Sequence, residues 1–479
     1  MSDLNHQVIK AAKWSTLTEI SAKLIVPITS MVLARLLTPE VFGVVTTLAM
    51  VTSFAGLFTD AGFHNYIVQH EFKDESDCKK SANVAFWSNL ALSVFIWGII
   101  VVFAEPLAVL VGNPGLGFVL IVASLSIPLG AFSSIQSALF KRQMDFQTLF
   151  KIRLVSVIIP IVITIPLAYW LRNYWALVCG GLVQSLVSVI LLFFFSNWFP
   201  RFYYSFKVLR EMISFTSWTL IEKISIWLTL YVDVFIVGIV LNPYYLGLYK
   251  TSSTVVGSIT SLITAATTPV LFTALSRLQN NEREFNELFF KFQKIVGMLV
   301  IPISVGLFCF SDLVTLVLLG EQWYEASGYI GLWCLTSGVT IVISHYSSEV
   351  YRAKGYPKLS VLGQLLHIAF LWPVVLIAVR YGFETLYVSR SLVRLQGPLV
   401  SLILMKYFIH ISPWQLIKNI IPAIVASMPM FPIAFIIRQY YDDLFFQILS
   451  IVICSLAYIV IIYLFTTERH IINTYLQKK

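Results

Sequence analysis

Charged residues are scarce in this sequence, because Asp, Glu, Lys and Arg make up only 12% of its 479 residues. A typical soluble protein has about 25%. Hydrophobic residues reach 58% and aromatic residues 15%, which excludes a disordered or fibrous chain, since so much apolar surface must be buried. No long hydrophilic stretch is left to form a soluble domain. The composition therefore predicts a chain that buries its apolar surface in a lipid bilayer.

Motifs for disulfide, metal or nucleotide chemistry are also missing. The five cysteines are odd in number, have no CxxC spacing and lie mostly in apolar runs, which is typical of small buried residues. The histidines form no HExxH pattern, no GxxxxGK[ST] loop occurs, and the serines have no recognisable catalytic setting. We therefore expect no cofactor, no metal site, no ATP hydrolysis by this chain and no enzyme activity.

Fourteen apolar segments are close to the length of about 20 residues that crosses about 30 Å of hydrocarbon. Charged residues or breaks with Gly, Pro or Asn separate them. The polar N-terminus and the lack of a small-residue cleavage site predict that the first segment is retained as a span. The predicted spans are 14–37, 41–60, 84–104, 117–140, 154–171, 174–195, 214–240, 245–273, 295–318, 326–350, 361–379, 383–405, 419–437 and 444–466.

Basic residues alternate between the two sides of the predicted membrane. By these boundaries, 24 Lys and Arg lie at the N-terminus, in every second loop and in the C-terminal tail. The opposite side holds four, in its loops or near the end of a span, namely Arg172, Lys250, Arg380 and Arg438. Cytoplasmic loops carry the positive excess, so both termini are predicted to be cytoplasmic. The net charge of +9 then reflects the basic residues of the cytoplasmic loops, and we expect no nucleic-acid partner.

An internal repeat divides the sequence into two halves. A shift of 204 residues aligns Pro39 with Pro243 and Gly43 with Gly247, each in a short outer turn. This alignment keeps each helix at the same place in its half and each loop on the same side of the membrane, which favours gene duplication over chance similarity. Six spans per half make the repeats parallel. The predicted fold is an all-α polytopic membrane protein with 14 transmembrane helices, arranged as two parallel six-helix repeats plus two C-terminal helices. The predicted regions are 1–196, a cytoplasmic linker at 197–213, 214–410 and 411–479.

Ionisable residues inside spans are costly and therefore informative. Glu19 and Lys23 lie four residues apart on span one, where they could neutralise each other or face a central cavity. Glu222 and Lys223 on span seven point about 100° apart, so one of them is expected to face the cavity. Glu222 and Asp233 are the candidates for binding a coupling ion.

Span twelve carries Arg390 and Arg394 on one helix face. Like charges at this spacing repel each other, so the pair indicates an anion site, unless it pairs with Asp233 or Glu349 or Arg390 snorkels to the interface. The repeat counterpart of Arg394 is the neutral Gln184, which concentrates positive charge in the second half. The predicted substrate-binding residues are Lys23, Lys223, Arg390, Arg394, Glu19 and Gln184.

Four segments carry a family resemblance: residues 33–43 (LARLLTPEVFG), 60–63 (DAGF), 67–69 (IVQ) and 85–87 (AFW). They closely resemble the start of polysaccharide flippases of the MOP (multidrug/oligosaccharidyl-lipid/polysaccharide) exporter superfamily. The branch resembled is the Wzx-like one, which includes the colanic acid and teichuronic acid exporters. The sequence departs from it at residues 64–66 (HNY), where small residues are common in relatives.

The resemblance implies a flippase of polysaccharide biosynthesis. It would move an undecaprenyl-pyrophosphate-linked oligosaccharide repeat unit across the bacterial plasma (inner) membrane by alternating access, with polysaccharide polymerase machinery as a candidate partner. The alternative within the superfamily is a cation-coupled drug or small-molecule antiporter, which would favour acidic cavity residues such as Asp233. A membrane glycosyltransferase or polymerase would be expected to have a large outer loop with catalytic groups, whereas the predicted outer loops are short.

Overall fold

The computed structural model describes residues 2–59, 62–440 and 444–465. The side chains of Glu19 and Glu222 lie outside the described residues, although their backbones are helical. Within these ranges the regular secondary structure is entirely helical. The chain divides into two compact units, Met1–Lys250 and Thr251–Lys479. The predicted division at 196 and 214 rests on the sequence repeat, which these units do not test, and it stays a prediction.

The first unit is built from long apolar helices with short connections. Some of its helices begin at an Asp whose carboxylate accepts a hydrogen bond from a free backbone N–H of the first turn. The carboxylate of Asp74 accepts one from the N–H of Asp77, and that of Asp145 accepts one from the N–H of Thr148. The helices are α1 Ser2–Leu36, α2 Pro39–Thr59, α3 Phe63–Gln69, α4 Glu75–Val102, α5 Ala104–Leu110, α6 Gly117–Ser124, α7 Ser126–Arg142, α8 Phe146–Ile159, a π turn at Pro160–Thr164, α9 Ile165–Leu171, α10 Tyr174–Phe195, α11 Phe206–Val240 and the start of α12. Helix α7 packs against α3, α4 and α10, and α11 packs against α2.

The second unit packs around the helix Glu282–Cys309, which contacts the helices Ser327–Thr340 and Pro413–Ser427 and buries Phe285 and Phe289 completely. Tyr346 and Val350 are also fully buried in this core. The helices are α12 Pro243–Arg277, α13 Glu282–Cys309, α14 Ser311–Leu318, a 3-10 turn at Glu321–Ala326, α15 Ser327–Thr340, a π turn at Ile341–His345, α16 Tyr346–Ala353, α17 Lys358–Ala378, a 3-10 turn at Val379–Tyr381, α18 Phe383–Val393, α19 Gln396–Phe408, α20 Pro413–Ser427, α21 Met430–Tyr440 and α22 Leu444–Leu464.

Twelve helical segments of the described chain are long and apolar enough to cross a membrane. The predicted spans 14–37 and 383–405 are not among the twelve. Helix α1 covers the first of them as one continuous helix of 35 residues, whereas the second is broken into α18 and α19. The chain is thus a multi-span helical membrane protein, and the count of fourteen spans stays a prediction.

The break in predicted span twelve has a local cause. Pro398 has no N–H to donate to the carbonyl of Arg394, four residues earlier. That carbonyl accepts instead from Gly397 N–H at 3.2 Å, and Leu395 N–H donates to Leu392 O at 2.9 Å. Both bonds span three residues rather than four, so the chain makes a tighter turn at Arg394 and Leu395. The single helix predicted over 383–405 is corrected to two helices joined at this turn.

The first turns of α2 and α12 pack against each other in a reciprocal way. A Cβ atom on Gly43 would overlap the carbonyl oxygen of Pro243, and a Cβ atom on Gly247 would overlap the carbonyl oxygen of Pro39. These four residues are the ones that the shift of 204 residues aligns, Pro39 with Pro243 and Gly43 with Gly247. The two backbones therefore approach so closely that only glycine fits at either crossing position.

Candidate functional site

A polar cavity of about 860 Å³ lies within the first unit. It is large enough for a small oligosaccharide or a drug-sized molecule. Its charged or ring-bearing polar lining residues are His64, Lys141, Lys223 and Tyr231. No Asp or Glu is among the lining residues of the described chain. Hydroxyl and amide groups come from Thr52, Ser53, Thr59, Asn65, Asn89, Ser126, Ser133, Ser134, Ser137 and Ser188.

Helix α7 provides the longest polar stripe of this cavity. Ser126, Gly130, Ser133, Ser137 and Lys141 line it, and their spacing of three or four residues places them on one helix face. From first to last the stripe extends about 22 Å at 1.5 Å per residue, most of a hydrocarbon core of about 30 Å. Sequence reasoning missed these residues, although small polar side chains at helical spacing inside an apolar span were a readable signal.

Helix α2 lines the cavity in the same manner with Ala49, Ser53, Gly56 and Thr59. The hydroxyl of Ser53 accepts a hydrogen bond of 3.0 Å from the indole N–H of Trp227 on α11. Small side chains on α2 and α7 leave room between the helices, while the hydrogen bond fixes α11 at the cavity wall.

Among the predicted substrate-binding residues of the first unit whose side chains are described, one lies at this cavity. Lys223 lines it, on the same helix as Tyr231. Lys23 on α1 and Gln184 on α10 are half-buried and are not among its lining residues. Glu19 and Glu222 cannot be placed, because their side chains lie outside the described residues.

The candidate acidic partners have neighbours of their own. Asp233 is buried, and its carboxylate accepts from the Tyr249 hydroxyl at 2.6 Å and from the Val234 N–H at 2.8 Å. Glu349 is buried and forms an ion pair with Arg352, three residues later on α16. Glu349 is thus engaged with a different arginine from the two on predicted span twelve.

The second unit brings Arg390 and Arg394 together on one aromatic ring. Their guanidinium carbons lie 4.8 and 4.2 Å from the ring centroid of Trp333, which is on α15 and only 7% exposed. An aromatic face attracts a cation and offsets part of the repulsion between the two arginines. A guanidinium over a ring face still has N–H donors that can bind an oxyanion. Sequence reasoning missed Trp333, because nothing in the chain predicted which residue of α15 meets α18.

The sequence matches a known protein family and several of its relatives. Residues 32–328, more than half of the chain, match the family described as "Polysaccharide biosynthesis protein". The chain is 26% identical over 334 residues to the succinoglycan biosynthesis transport protein ExoT of Rhizobium meliloti (strain 1021), covering 69% of this chain and 66% of ExoT. It is 22% identical over 334 residues to the lipopolysaccharide biosynthesis protein WzxC of Escherichia coli (strain K12), covering 69% of this chain and 67% of WzxC. The alignment with ExoT thus spans slightly less than two thirds of that protein.

The fold also matches a solved structure. The lipid II flippase MurJ in its inward closed conformation superposes with a TM-score of 0.75 at 16% identity, covering 95% of this chain and 99% of MurJ. At this identity the match shows a common fold. Together with the family match, it confirms the resemblance carried by residues 33–87. The chain belongs to the polysaccharide biosynthesis protein family.

Proposed function

We propose that this protein is a flippase for a lipid-linked oligosaccharide, an undecaprenyl-pyrophosphate-linked sugar repeat unit, and acts by alternating access as a transporter rather than an enzyme. The observation that carries the proposal is the cavity of the first unit. Its lining offers hydroxyl, amide and lysine side chains, with no Asp or Glu in the described lining. Sugar hydroxyls cannot cross hydrocarbon without hydrogen-bond partners, and the anionic pyrophosphate needs cations. The transport and biosynthesis roles in the names of ExoT and WzxC support the same substrate class.

The arginine pair of the second unit is proposed to bind the pyrophosphate. Arg394 would donate two parallel N–H groups to phosphate oxygens, with Arg390 and Lys23 adding positive charge. Its position at the turn between α18 and α19 and its contact with Trp333 support a fixed orientation. Lys223, Glu19 and Gln184 complete the proposed substrate-binding set.

The proposed topology has fourteen spans in two parallel six-helix repeats plus two C-terminal helices, with both termini in the cytoplasm. The protein would lie in the bacterial inner membrane, where polymerase machinery is a candidate partner. The reciprocal contacts of Gly43 with Pro243 and of Gly247 with Pro39 support the repeat. The charge count supports the orientation.

An export assay tests the function and the arginine role together. We expect Arg394→Ala to lower polysaccharide export about tenfold or more at matched membrane levels, since a charge-assisted hydrogen bond contributes about 1.5–3 kcal/mol. Arg394→Lys should retain part of the activity, because lysine keeps the charge but loses the two-pronged donation. Arg380→Ala, at an exposed arginine after α17, is the control and should export normally. Wild-type export by Arg394→Ala, or recovery in Arg394→Ala combined with Asp233→Ala, would contradict substrate binding by Arg394.

The alternative is a cation-coupled antiporter that uses Asp233 or Glu222. The buried carboxylate of Asp233, which the Tyr249 hydroxyl contacts at 2.6 Å, is the observation that favours it. In that case Asp233→Asn would abolish cation-dependent drug efflux and leave polysaccharide export unchanged. A flippase that uses Asp233 only for coupling would instead lose export in Asp233→Asn.

A further inference from the structure

Lys141 is a cation of the first unit's cavity that has no assigned role. It lies in the last turn of α7, is exposed, and lines the cavity together with His64 of α3. The Nζ atom of Lys141 is 3.2 Å from Nε2 of His64. The other ring nitrogen, Nδ1, is 3.1 Å from the carbonyl oxygen of Ser134, on the same helix as Lys141. The imidazole therefore lies between two groups of α7.

The chemistry of these two contacts suggests a role for each ring nitrogen. A carbonyl oxygen can only accept a hydrogen bond and an ammonium group can only donate one. Nδ1 is therefore placed to donate to the Ser134 carbonyl oxygen, and Nε2 is placed to accept from the Lys141 ammonium group. The imidazole thus orients the ammonium group of Lys141 at the cavity wall.

The adjacent Arg142 holds α3 by a separate set of contacts. Its guanidinium donates to the carbonyl oxygens of Ile67 at 3.0 Å and His70 at 2.7 Å. It also lies 4.6 Å from the ring centroid of Phe72. These bonds satisfy the carbonyl groups at the end of α3. The fixed position of α3 therefore does not depend on Lys141 alone, and a role of Lys141 in binding can be separated from a role in folding.

We propose that Lys141, positioned by His64, binds an oxyanion of the transported lipid-linked glycan in this cavity. The inference rests on the proposed function and assigns it a second cationic contact, distinct from the arginine pair. The oxyanion belongs either to the pyrophosphate or to a carboxylate on an acidic sugar, since both accept charge-assisted hydrogen bonds from an ammonium group. The hydroxyl groups of Ser133, Ser134 and Ser137 line the same stretch, where they can hydrogen-bond the neighbouring sugar hydroxyls.

Binding to the purified full-length protein in neutral-lipid nanodiscs tests this role. The probes are undecaprenyl pyrophosphate, a tetrasaccharide of uronic acids, the matching neutral tetrasaccharide, and phosphatidylglycerol. Lys141→Gln removes the charge and keeps a polar side chain with N–H donors. We expect this variant to bind one of the first two probes about tenfold more weakly. The thermal unfolding midpoint and the binding of the neutral tetrasaccharide should not change. The probe that loses affinity identifies the source of the oxyanion.

Two variants complete the design. Lys80→Gln removes an exposed charge on α4 that does not line the cavity and should bind all probes as the wild type does. His64→Ala should lower the affinity for the same probe less than Lys141→Gln does. The double variant should bind the probe no more weakly than Lys141→Gln alone, because His64 acts through Lys141. Additive losses in the double variant would contradict positioning by His64.

The failures of the two proposals are distinguishable. Equal affinity of Lys141→Gln and wild type for both anionic probes would overturn the role of Lys141 while the proposed function stands. An equal loss of phosphatidylglycerol binding would assign Lys141 to the lipid surface and also overturn the inference. A wild-type protein that binds neither undecaprenyl pyrophosphate nor either tetrasaccharide would contradict the proposed function itself, and the inference with it.

Discussion

The residues of the candidate sites fall into two groups. Some could be predicted from neighbouring sequence, and others depend on a contact with a residue that is distant in the sequence. The spacing of Arg390 and Arg394 was enough to predict a shared helix face. Their contact with Trp333 was not predictable, because it joins residues about 60 positions apart in the sequence. His64 shows the same limit, since it was visible only as a departure from relatives, whereas its contact with Lys141 required the fold.

The glycine crossing gives a prediction at this scale. Gly43→Ala and Gly247→Ala should each destabilise the protein by about 1–3 kcal/mol, because the added methyl group must displace a backbone carbonyl. Gly257→Ala is the matched control on α12, since nothing lies within 4 Å of the added Cβ atom. The thermal unfolding midpoint in detergent is the measurement. Unchanged midpoints for both crossing variants would contradict the close approach of α2 and α12.

Among the helices, the broken pair α18 and α19 shows how far a sequence prediction extends. The apolar run 383–405 and Pro398 were both visible, but membrane helices often tolerate proline, so a continuous helix was expected. Helix α17 does continue through Pro373. The outcome at Pro398 depends on which donor replaces the missing N–H, here Gly397. The polar stripe of α7, in contrast, could have been predicted from spacing alone.

Removing Pro398 tests the importance of this break. In Pro398→Ala the restored N–H can donate to the Arg394 carbonyl, so α18 and α19 should join and shift Arg394 from its position over Trp333. We expect export to fall about tenfold while the thermal midpoint stays equal or rises, since a helix-interior proline costs about 3 kcal/mol. Pro373→Ala is the control and should export normally. Normal export by Pro398→Ala would show that the break has no functional role.

For the whole molecule, the composition predicted a multi-span helical membrane protein, and the residues quoted from 33–87 predicted its family. Both predictions are confirmed. The number of spans does not follow from the sequence, because apolar length alone does not distinguish a straight span from a broken one. The division into repeats stays a prediction, since it concerns the origin of the chain rather than its packing.

Orientation can be tested by cysteine labelling in intact cells with an impermeant thiol reagent. Single cysteines at Pro114 and Gln322 should react, whereas cysteines at Lys80 and Lys358 should be shielded, because the basic loops are predicted to be cytoplasmic. All four positions are exposed. Four of the native cysteines are buried and Cys179 is intermediate, so a variant with Cys179→Ser provides a low background. Labelling of cysteines at Lys80 and Lys358 before cell lysis would contradict the predicted orientation.

The paired glycine contacts also bear on how such a chain can arise. In the first turns of α2 and α12, Gly43 meets Pro243 and Gly247 meets Pro39, which is the reciprocity of an interface between two identical subunits. A half-length protein with one such turn could make the same contact with a second copy of itself. Fusing two identical genes would then require no new surface at this position, and later mutations at either glycine would be constrained by the other.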